Sequence, residues 1–147
     1  MLPKLKKENM LKGILAISGQ GGLFKMVSET KNGIIVESLL TGKRQPAYAS
    51  ARVSALEDIA IYSDVDEVPL KKVFKNINEK ENGGAAISHK SSSNEIKAYF
   101  GEVLPDYDED RVYVSDMKKV IQWYNLLQEK GLLDFSEETE EEEKTEE

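Results

Sequence analysis

The spacing of the apolar residues changes near Asp64, and this change limits the folds that the chain can adopt. Before that residue, short apolar segments alternate with glycine-containing turns at about ten-residue intervals, a pattern typical of a small all-β domain. After it, apolar residues recur every three or four positions, which is the period of an amphipathic helix. The sequence therefore predicts an α+β fold, with a β domain at residues 10–63 and a helical domain at residues 64–135.

The predicted strands lie at residues 13–18, 23–29, 33–40, 44–50 and 56–63. Asn32-Gly33 predicts a hairpin with a type I′ turn, because that turn needs positive φ at both central residues. Pro46 has no N–H group to donate within a sheet, so its strand is expected at an edge. Five short strands with these turns favour a small five-stranded SH3-like β-barrel.

Three amphipathic helices are predicted after residue 64, and a serine or a proline stands near the start of each. The residues expected to begin or end them are Pro69, Gly83, Gly84, Ser92 with Glu95 as a capping box, Ser115 and Gly131. The apolar stripes expected to face the core comprise Leu70, Val73, Phe74, Ile77, Ile96, Tyr99, Phe100, Val103, Met117, Val120, Ile121, Trp123, Tyr124, Leu126 and Leu127. Because the third stripe is the widest, its helix is expected to be the most buried.

Charge is distributed unevenly along the chain, whose net charge is −7. Residues 1–63 carry +4, residues 64–135 carry −4, and the glutamate-rich residues 136–147 carry −7. A like-charged tail cannot offset the entropy of ordering, so residues 136–147 are predicted to be disordered, and residues 1–9 are predicted to form a flexible arm. The acidic tail opposes nucleic-acid binding in general, whereas the basic first half allows a local contact.

The residue types argue against most catalytic and metal sites. The chain has no cysteine and one histidine, His89, which excludes disulfides, cysteine-ligated metals and histidine-rich metal sites. No serine stands in a nucleophile elbow, so we predict neither an enzyme nor a cofactor, although catalysis by carboxylates or tyrosines alone stays open. No apolar run approaches the roughly 18 residues that span a membrane, and the first residues lack a signal-peptide core, so a cytoplasmic protein is expected.

A glycine cluster at Gly19, Gly21 and Gly22 could present backbone N–H groups to a phosphate. The nucleotide-binding versions of such a loop require a helix after the glycines. Here the strand-like residues 23–27 follow, so the sequence favours a tight β-turn over a nucleotide site.

An acidic segment at residues 104–113 offers the alternative of a weak cation site. Asp106, Asp108 and Asp110 have the spacing of the first three ligands of an EF-hand loop. That loop needs glycine at its sixth position and glutamate at its twelfth, where this chain has Arg111 and Met117. We therefore favour a salt-bridged corner or an acidic docking surface, neutralised by Arg111, by Lys118 and Lys119, or by the start of the third helix.

Three segments, residues 17–44, 57–77 and 104–135, resemble a family of proteins of unknown function from Bacteroidetes-type bacteria. The similarity extends over about residues 10–135. It implies an N-terminal β domain followed by a small helical domain and a glutamate-rich tail, with no assigned activity. Members of that family begin near Met10, so either Met1 or Met10 could be the start of this chain.

These features predict a non-enzymatic interaction module that docks another macromolecule, a protein, on the barrel or in the groove between barrel and helices. The alternative is an RNA- or ribosome-associated accessory protein that uses Lys25, Lys31, Lys43, Arg44 and Arg52, although these charges are more simply explained as solubilising. Aromatic residues available for stacking in that half are Phe24, Tyr48 and Tyr62. The predicted binding residues are Lys25, Lys43, Arg44, Arg52, Asp106, Tyr107, Asp108 and Arg111.

Overall fold

The structure, a computed structural model, describes residues 11–48 and 51–133. The arm predicted at residues 1–9 and the acidic tail predicted at residues 136–147 lie outside the described residues. The described chain combines a five-stranded antiparallel sheet, a two-stranded sheet and three helices, which confirms the predicted α+β class. None of these helices is both long enough and apolar enough to span a lipid bilayer.

The main sheet consists of five short strands. They are β1 (Ile14–Ile17), β2 (Phe24–Thr30), β3 (Gly33–Ser38), β4 (Arg44–Tyr48) and β5 (Val53–Ala55). The strands are antiparallel and lie in the order β4-β3-β2-β1-β5. Since β4 and β5 do not pair with each other, the sheet is open, and the predicted closure into a barrel is not confirmed. The edge position expected for the strand that contains Pro46 is confirmed.

The apolar segment at residues 56–63 forms two elements, so the prediction of a single strand there is wrong. Leu56–Asp58 is a 3-10 turn, and β6 (Ala60–Tyr62) then pairs with β7 (Glu67–Pro69) in a separate hairpin. The turn buries the Leu56 side chain completely in the core shared with the helices. A short apolar run has the same pattern whether it forms a strand or a turn against a helix, so its periodicity does not distinguish them.

The hairpin predicted at Asn32-Gly33 is present, but its turn differs from the predicted type. β2 and β3 are joined by the two residues Lys31 and Asn32, and neither has a positive φ, so the type I′ prediction is wrong. Gly33 is needed for close packing of β3 against β4, where it lies directly opposite Tyr48. A Cβ atom at Gly33 would overlap the carbonyl oxygen of Ala47 and lie 2.9 Å from the Tyr48 Cα.

The three predicted helices are α1 (Leu70–Lys80), α2 (Ser93–Val103) and α3 (Val114–Glu129). Pro69 immediately precedes α1, in agreement with the sequence. The capping box predicted for α2 is confirmed: the Glu95 N–H donates to Ser92 Oγ at 3.2 Å, and the Ser92 N–H donates to Glu95 Oε1 at 3.1 Å. These bonds satisfy backbone donors that the first turn of a helix leaves unpaired.

The start of α3 differs from the prediction that Ser115 caps it. The helix begins after Tyr113, whose N–H donates to Asp116 Oδ2 at 3.0 Å. A carboxylate is favourable at this position because it also faces the positive end of the helix dipole. At the other end Gly131 has a φ of +70°, which confirms its predicted role after the last turn.

One large core joins the sheet to the helices. Apart from Trp123, which is half-buried, every residue of the predicted apolar stripes is buried in it. From the other side it receives Leu11, Ile14, Leu23, Leu56 and Ile61. A smaller core on the opposite face of the sheet contains Leu15, Ile17, Phe24, Val36 and Ala47. Neighbours such as Ile14 and Leu15 join different cores, because successive strand side chains point to opposite faces.

Candidate binding groove between the sheet and the third helix

A groove runs between the sheet and α3 and has two adjoining parts. The wider part, about 530 Å³ in volume, lies between α3 and the glycine loop, which we define as residues 18–22. The narrower part, about 260 Å³, lies between α3 and β6. Because Ile59, Lys119 and Trp123 line both parts, we treat them as one feature, the α3 groove.

The wall that α3 contributes follows from the spacing of its residues. Asp116, Lys119 and Trp123 stand three and four positions apart, which places them on one face of the helix. A rise of about 1.5 Å per residue makes this face roughly 10 Å long. Trp123, the one tryptophan of the chain, packs against the large core and also lines the groove.

The wider part of the α3 groove is positively charged. Arg52 and Lys119 line it, and none of its other lining residues is acidic. Neither cation forms an ion pair with a residue that the structure describes. The Arg52 carbonyl accepts a hydrogen bond from the Ser18 N–H at 2.9 Å, which ties the glycine loop to the start of β5. The local charge is therefore opposite in sign to the net charge of −7.

The glycine loop is a tight turn that continues into β2, as the sequence predicts. The Gln20 N–H donates to the Ile17 carbonyl at 3.0 Å. Gly19 and Gly22 have φ values of +84° and +77°, which residues with a side chain rarely adopt. The N–H groups of the exposed Gly19 and Gly21 find no acceptor within residues 11–48 and 51–133. They are therefore available to a bound molecule.

Apart from Lys119, which lines both parts, the charged residues of the narrower part are engaged within the chain. Arg111 and Asp116 both line it. The Asp116 carboxylate accepts the hydrogen bond from Tyr113 that begins α3, and the Arg111 guanidinium lies 4.1 Å from the centroid of the Tyr62 ring. This part of the groove consequently offers mainly apolar surface to a ligand.

The acidic segment at residues 104–113 forms a salt-bridged corner. Asp108 Oδ2 accepts a hydrogen bond from Arg111 Nε at 2.8 Å, and its Oδ1 accepts one from the Asp110 N–H at 2.9 Å. Arg111 thus provides the neutralising charge that the sequence also allowed from Lys118 and Lys119. The two hydrogen bonds occupy both oxygens of the Asp108 carboxylate.

The three candidate cation ligands are not gathered into a cluster of metal-binding side chains in the described part of the chain. No group of three or more His, Cys, Asp or Glu side chains in the described part of the chain lies close enough together to hold an ion, so Asp106, Asp108 and Asp110 form none. Tyr107 lies between them in sequence, and its ring packs edge-on against Phe100 with a centroid distance of 5.3 Å. Tyr107 therefore anchors the segment to the large core.

The Asp108 carboxyl should titrate abnormally. Hydrogen bonds from the Arg111 side chain and the Asp110 N–H hold the pKa of Asp108 below its ordinary value. A depressed pKa stabilises the fold above the pKa of the unfolded chain, and this stabilisation is lost as pH falls through the lower, folded-state value.

In Arg111→Met we expect the pKa of Asp108 to rise, as measured by NMR titration of the carboxyl carbon. Arg44→Met, which removes an exposed pair with Glu37, should leave it unchanged. An identical Asp108 titration in Arg111→Met would contradict this prediction.

Most of the basic residues predicted to bind lie away from the α3 groove. Lys25, Lys43 and Arg44 line neither part, and Arg44 Nε is paired with Glu37 Oε1 at 3.1 Å. The predicted binding residues that do line the groove are Arg52 and Arg111. The structure thus brings one of the predicted β-domain cations to the face of α3 and leaves the others on separate surfaces.

Sequence reasoning missed Lys119 and Trp123 as groove residues. The available signal was a lysine four positions before a tryptophan at the border of the apolar stripe, a spacing that places both on one helix face. The glycine loop and Arg52 were noted separately. Nothing in the local pattern indicated that they would lie opposite this face of α3.

Two family models match this chain in adjacent segments. A domain of unknown function (DUF5606) matches residues 11–56, and a second domain of unknown function (DUF6852) matches residues 59–127. A solution NMR structure of a protein from Bacteroides vulgatus, determined in structural genomics, is 50% identical to this chain, with a TM-score of 0.72. The match covers 85% of this chain and 90% of that protein. No curated protein matches the chain.

Proposed function

This chain belongs to the Bacteroidetes-type family that combines these two domains of unknown function, and we propose that it is a non-enzymatic docking module that binds another protein in the α3 groove. The observation that carries the proposal is that one open groove contains Trp123 together with Arg52 and Lys119, two cations that have no ion-pair partner among the described residues. A cytoplasmic location is part of the proposal.

The residues of the groove are those that concentrate binding energy in protein interfaces. Tryptophan and arginine are enriched among the few interface residues that contribute most to affinity. Trp123 is held on a rigid helix and is half-buried, so a partner could cover its exposed part with little loss of side-chain freedom. Arg52 lies across the groove, where it can form charge-assisted hydrogen bonds.

The fold favours docking in the groove over docking elsewhere on the sheet. A meander of four strands, with the fifth returning to pair with the first, is the arrangement of an SH3-like barrel, and we propose that the sheet is a partly open form of it. Its small inner core supports this assignment. The large core covers the face of β1 next to the helices, which leaves the α3 groove as the opening between the two halves.

A non-enzymatic role is supported by where the perturbed titratable groups lie. Burial raises the pKa of Tyr99, Tyr107 and Tyr124, but none of these tyrosines lines the α3 groove. Arg111 does line it, and the hydrogen bond with Asp108 raises its pKa, so it is a fixed cation. Catalytic sites usually gather several perturbed groups in one cleft.

The RNA-binding alternative receives less support from the arrangement of its proposed residues. Of the aromatic side chains considered for base stacking, Phe24 is buried, and Arg111 occupies one face of the Tyr62 ring. Tyr48 and Tyr62 are 57% and 40% exposed, but neither lines the wider, basic part of the α3 groove. Single-strand binders use successive aromatic residues along a basic groove.

Affinity capture from native cells tests the proposal. We expect wild type to retain at least one protein that the double variant Arg52→Glu/Lys119→Glu no longer retains. The control variant, Lys25→Glu/Lys43→Glu, makes the same charge change on exposed residues outside the groove and should retain it. Loss of no protein in the groove variant would refute docking there. Retention that disappears on nuclease treatment would favour the RNA alternative.

A further inference from the structure

We infer that the α3 groove recognises a short, extended acidic peptide that also carries an apolar side chain. A carboxylate of the peptide binds between Arg52 and Lys119, and the apolar side chain packs on Trp123. This inference rests on the proposed function and specifies the chemistry of the partner.

The charges of the wider part select a carboxylate. Two cations face this space, and its lining residues include no acidic group, although the chain as a whole carries −7. Among the described residues, Arg44, Lys80 and Arg111 form ion pairs with Glu37, Glu102 and Asp108. Arg52 and Lys119 have no such partner among the described residues, so an incoming carboxylate would meet two uncompensated positive charges.

The glycine loop favours an extended backbone at the same place. Gly19 and Gly21 are exposed, and their N–H groups lack acceptors within the described residues. A peptide in extended conformation presents carbonyl oxygens at regular spacing along its length, which can accept such bonds. The loop wall also lacks side chains at three of its five positions, so a backbone can approach it closely.

The length of the groove limits the peptide to a few residues. The face of α3 from Asp116 to Trp123 is roughly 10 Å long, which matches about three extended residues at about 3.3 Å each. Asp116 stands at the far end and repels a second carboxylate there. The acidic residue should therefore bind at the glycine-loop end, with apolar residues towards β6.

The chain's own acidic tail lacks one component that such a peptide needs. Residues 136–147 contain eight glutamates and one lysine, and none of the twelve residues is apolar. The tail could satisfy Arg52 and Lys119 but leave Trp123 uncovered. A partner peptide that combines acidic and apolar residues would neutralise Arg52 and Lys119 and would also cover Trp123.

Fluorescence of Trp123 in the full-length protein tests the inference directly, because the chain has one tryptophan. The probe is the capped hexapeptide SELLQS, and its matched control is SQLLQS, in which glutamine replaces the glutamate. We expect SELLQS to change the emission and to bind at least about tenfold more tightly than SQLLQS, with the difference shrinking as salt increases. Equal affinity of the two peptides, or no response to SELLQS, would overturn the inference.

Variants and two further probes separate the remaining explanations. Arg52→Glu/Lys119→Glu should weaken SELLQS binding at least about tenfold, whereas Lys25→Glu/Lys43→Glu should not, with circular dichroism confirming that both fold. A peptide of residues 136–147, or a uridine oligonucleotide, that binds as tightly as SELLQS would also overturn the inference. If the peptides fail while the captured protein still depends on Arg52 and Lys119, this inference fails and the proposed function stands. If no captured protein depends on them, the proposed function itself fails.

Discussion

Replacement of Leu56 by alanine is expected to lower the free energy of unfolding by about 3 to 4 kcal/mol, because it leaves a cavity in a fully enclosed site. Leu56 has no solvent exposure, and its 3-10 turn places it in the core shared by the sheet and all three helices. Losing it should therefore weaken the β half and the helical half together. Urea unfolding, followed by Trp123 fluorescence and by far-ultraviolet circular dichroism, would measure the change.

Two comparisons sharpen this prediction. Val65→Ala removes part of a side chain that is 87% exposed and should change stability by less than about 0.5 kcal/mol. Native-state hydrogen exchange in Leu56→Ala should speed up for amides in both β1 and α3, since both contribute to the same core. Faster exchange confined to β1, or two separate unfolding transitions, would mean that the halves fold independently.

Substitution of Gly33 by alanine is expected to cost about 1 to 3 kcal/mol, because the added methyl group meets backbone atoms that cannot rotate away. The Cβ atom would overlap the Ala47 carbonyl oxygen and lie 2.9 Å from the Tyr48 Cα. To relieve the overlap, β4 would have to move away from β3, which weakens the hydrogen bonds between them. Thermal unfolding would measure the loss, and amide chemical shifts in β4 would record the displacement.

The control for this change is a glycine with room for a side chain. Gly101 lies within α2, and a Cβ atom there would have no neighbour within 4 Å. Gly101→Ala should raise stability by roughly 0.5 to 1 kcal/mol, because alanine loses less backbone entropy in a helix. If Gly33→Ala were as stable as wild type, glycine would not be required by the close approach of the strands.

Helical periodicity predicted the helical half well because its signal is local and repeated. Each stripe contains four or more apolar positions at helical spacing, and a buried helix face needs all of them. Such a pattern therefore identifies a helix more reliably than a single short motif does. The capping box at Ser92 was also predictable, since both partners lie within three residues. Ser115 was a wrong choice because the helix begins earlier: the Met117 N–H donates to the Tyr113 carbonyl, and the Asp116 carboxylate accepts from the Tyr113 N–H.

The β half was less predictable because its register and closure depend on distant partners. Asn32-Gly33 correctly indicated a hairpin, but glycine is needed for contact with a third strand that the turn motif does not describe. The pair β6 and β7 spans the point where the apolar period changes, so neither pattern identified it. Residues 56–58 form a turn, and Leu56 within it packs into the core that the sequence pattern had indicated for the helical half.

The α3 groove depends on the least local information in the chain. Ser18 to Gly22, Arg52 and Trp123 come from three separate segments, and they meet because Ile14 and Leu23 pack against the helices. Arg52 entered the predicted binding set as one basic residue among several. The sequence could not distinguish Arg52 from Lys25 or Lys43. Arg52 differs because it lies opposite α3, and its position there depends on how the helix packs on the sheet.

The two free edges of the sheet have a consequence for how the protein behaves at high concentration. β4 contains Pro46, which cannot donate to an added strand, and β5 is only three residues long. Short or proline-containing edge strands are poor templates for edge-to-edge aggregation. The open sheet is thus protected against edge-to-edge extension from molecule to molecule, even though it does not close into a ring.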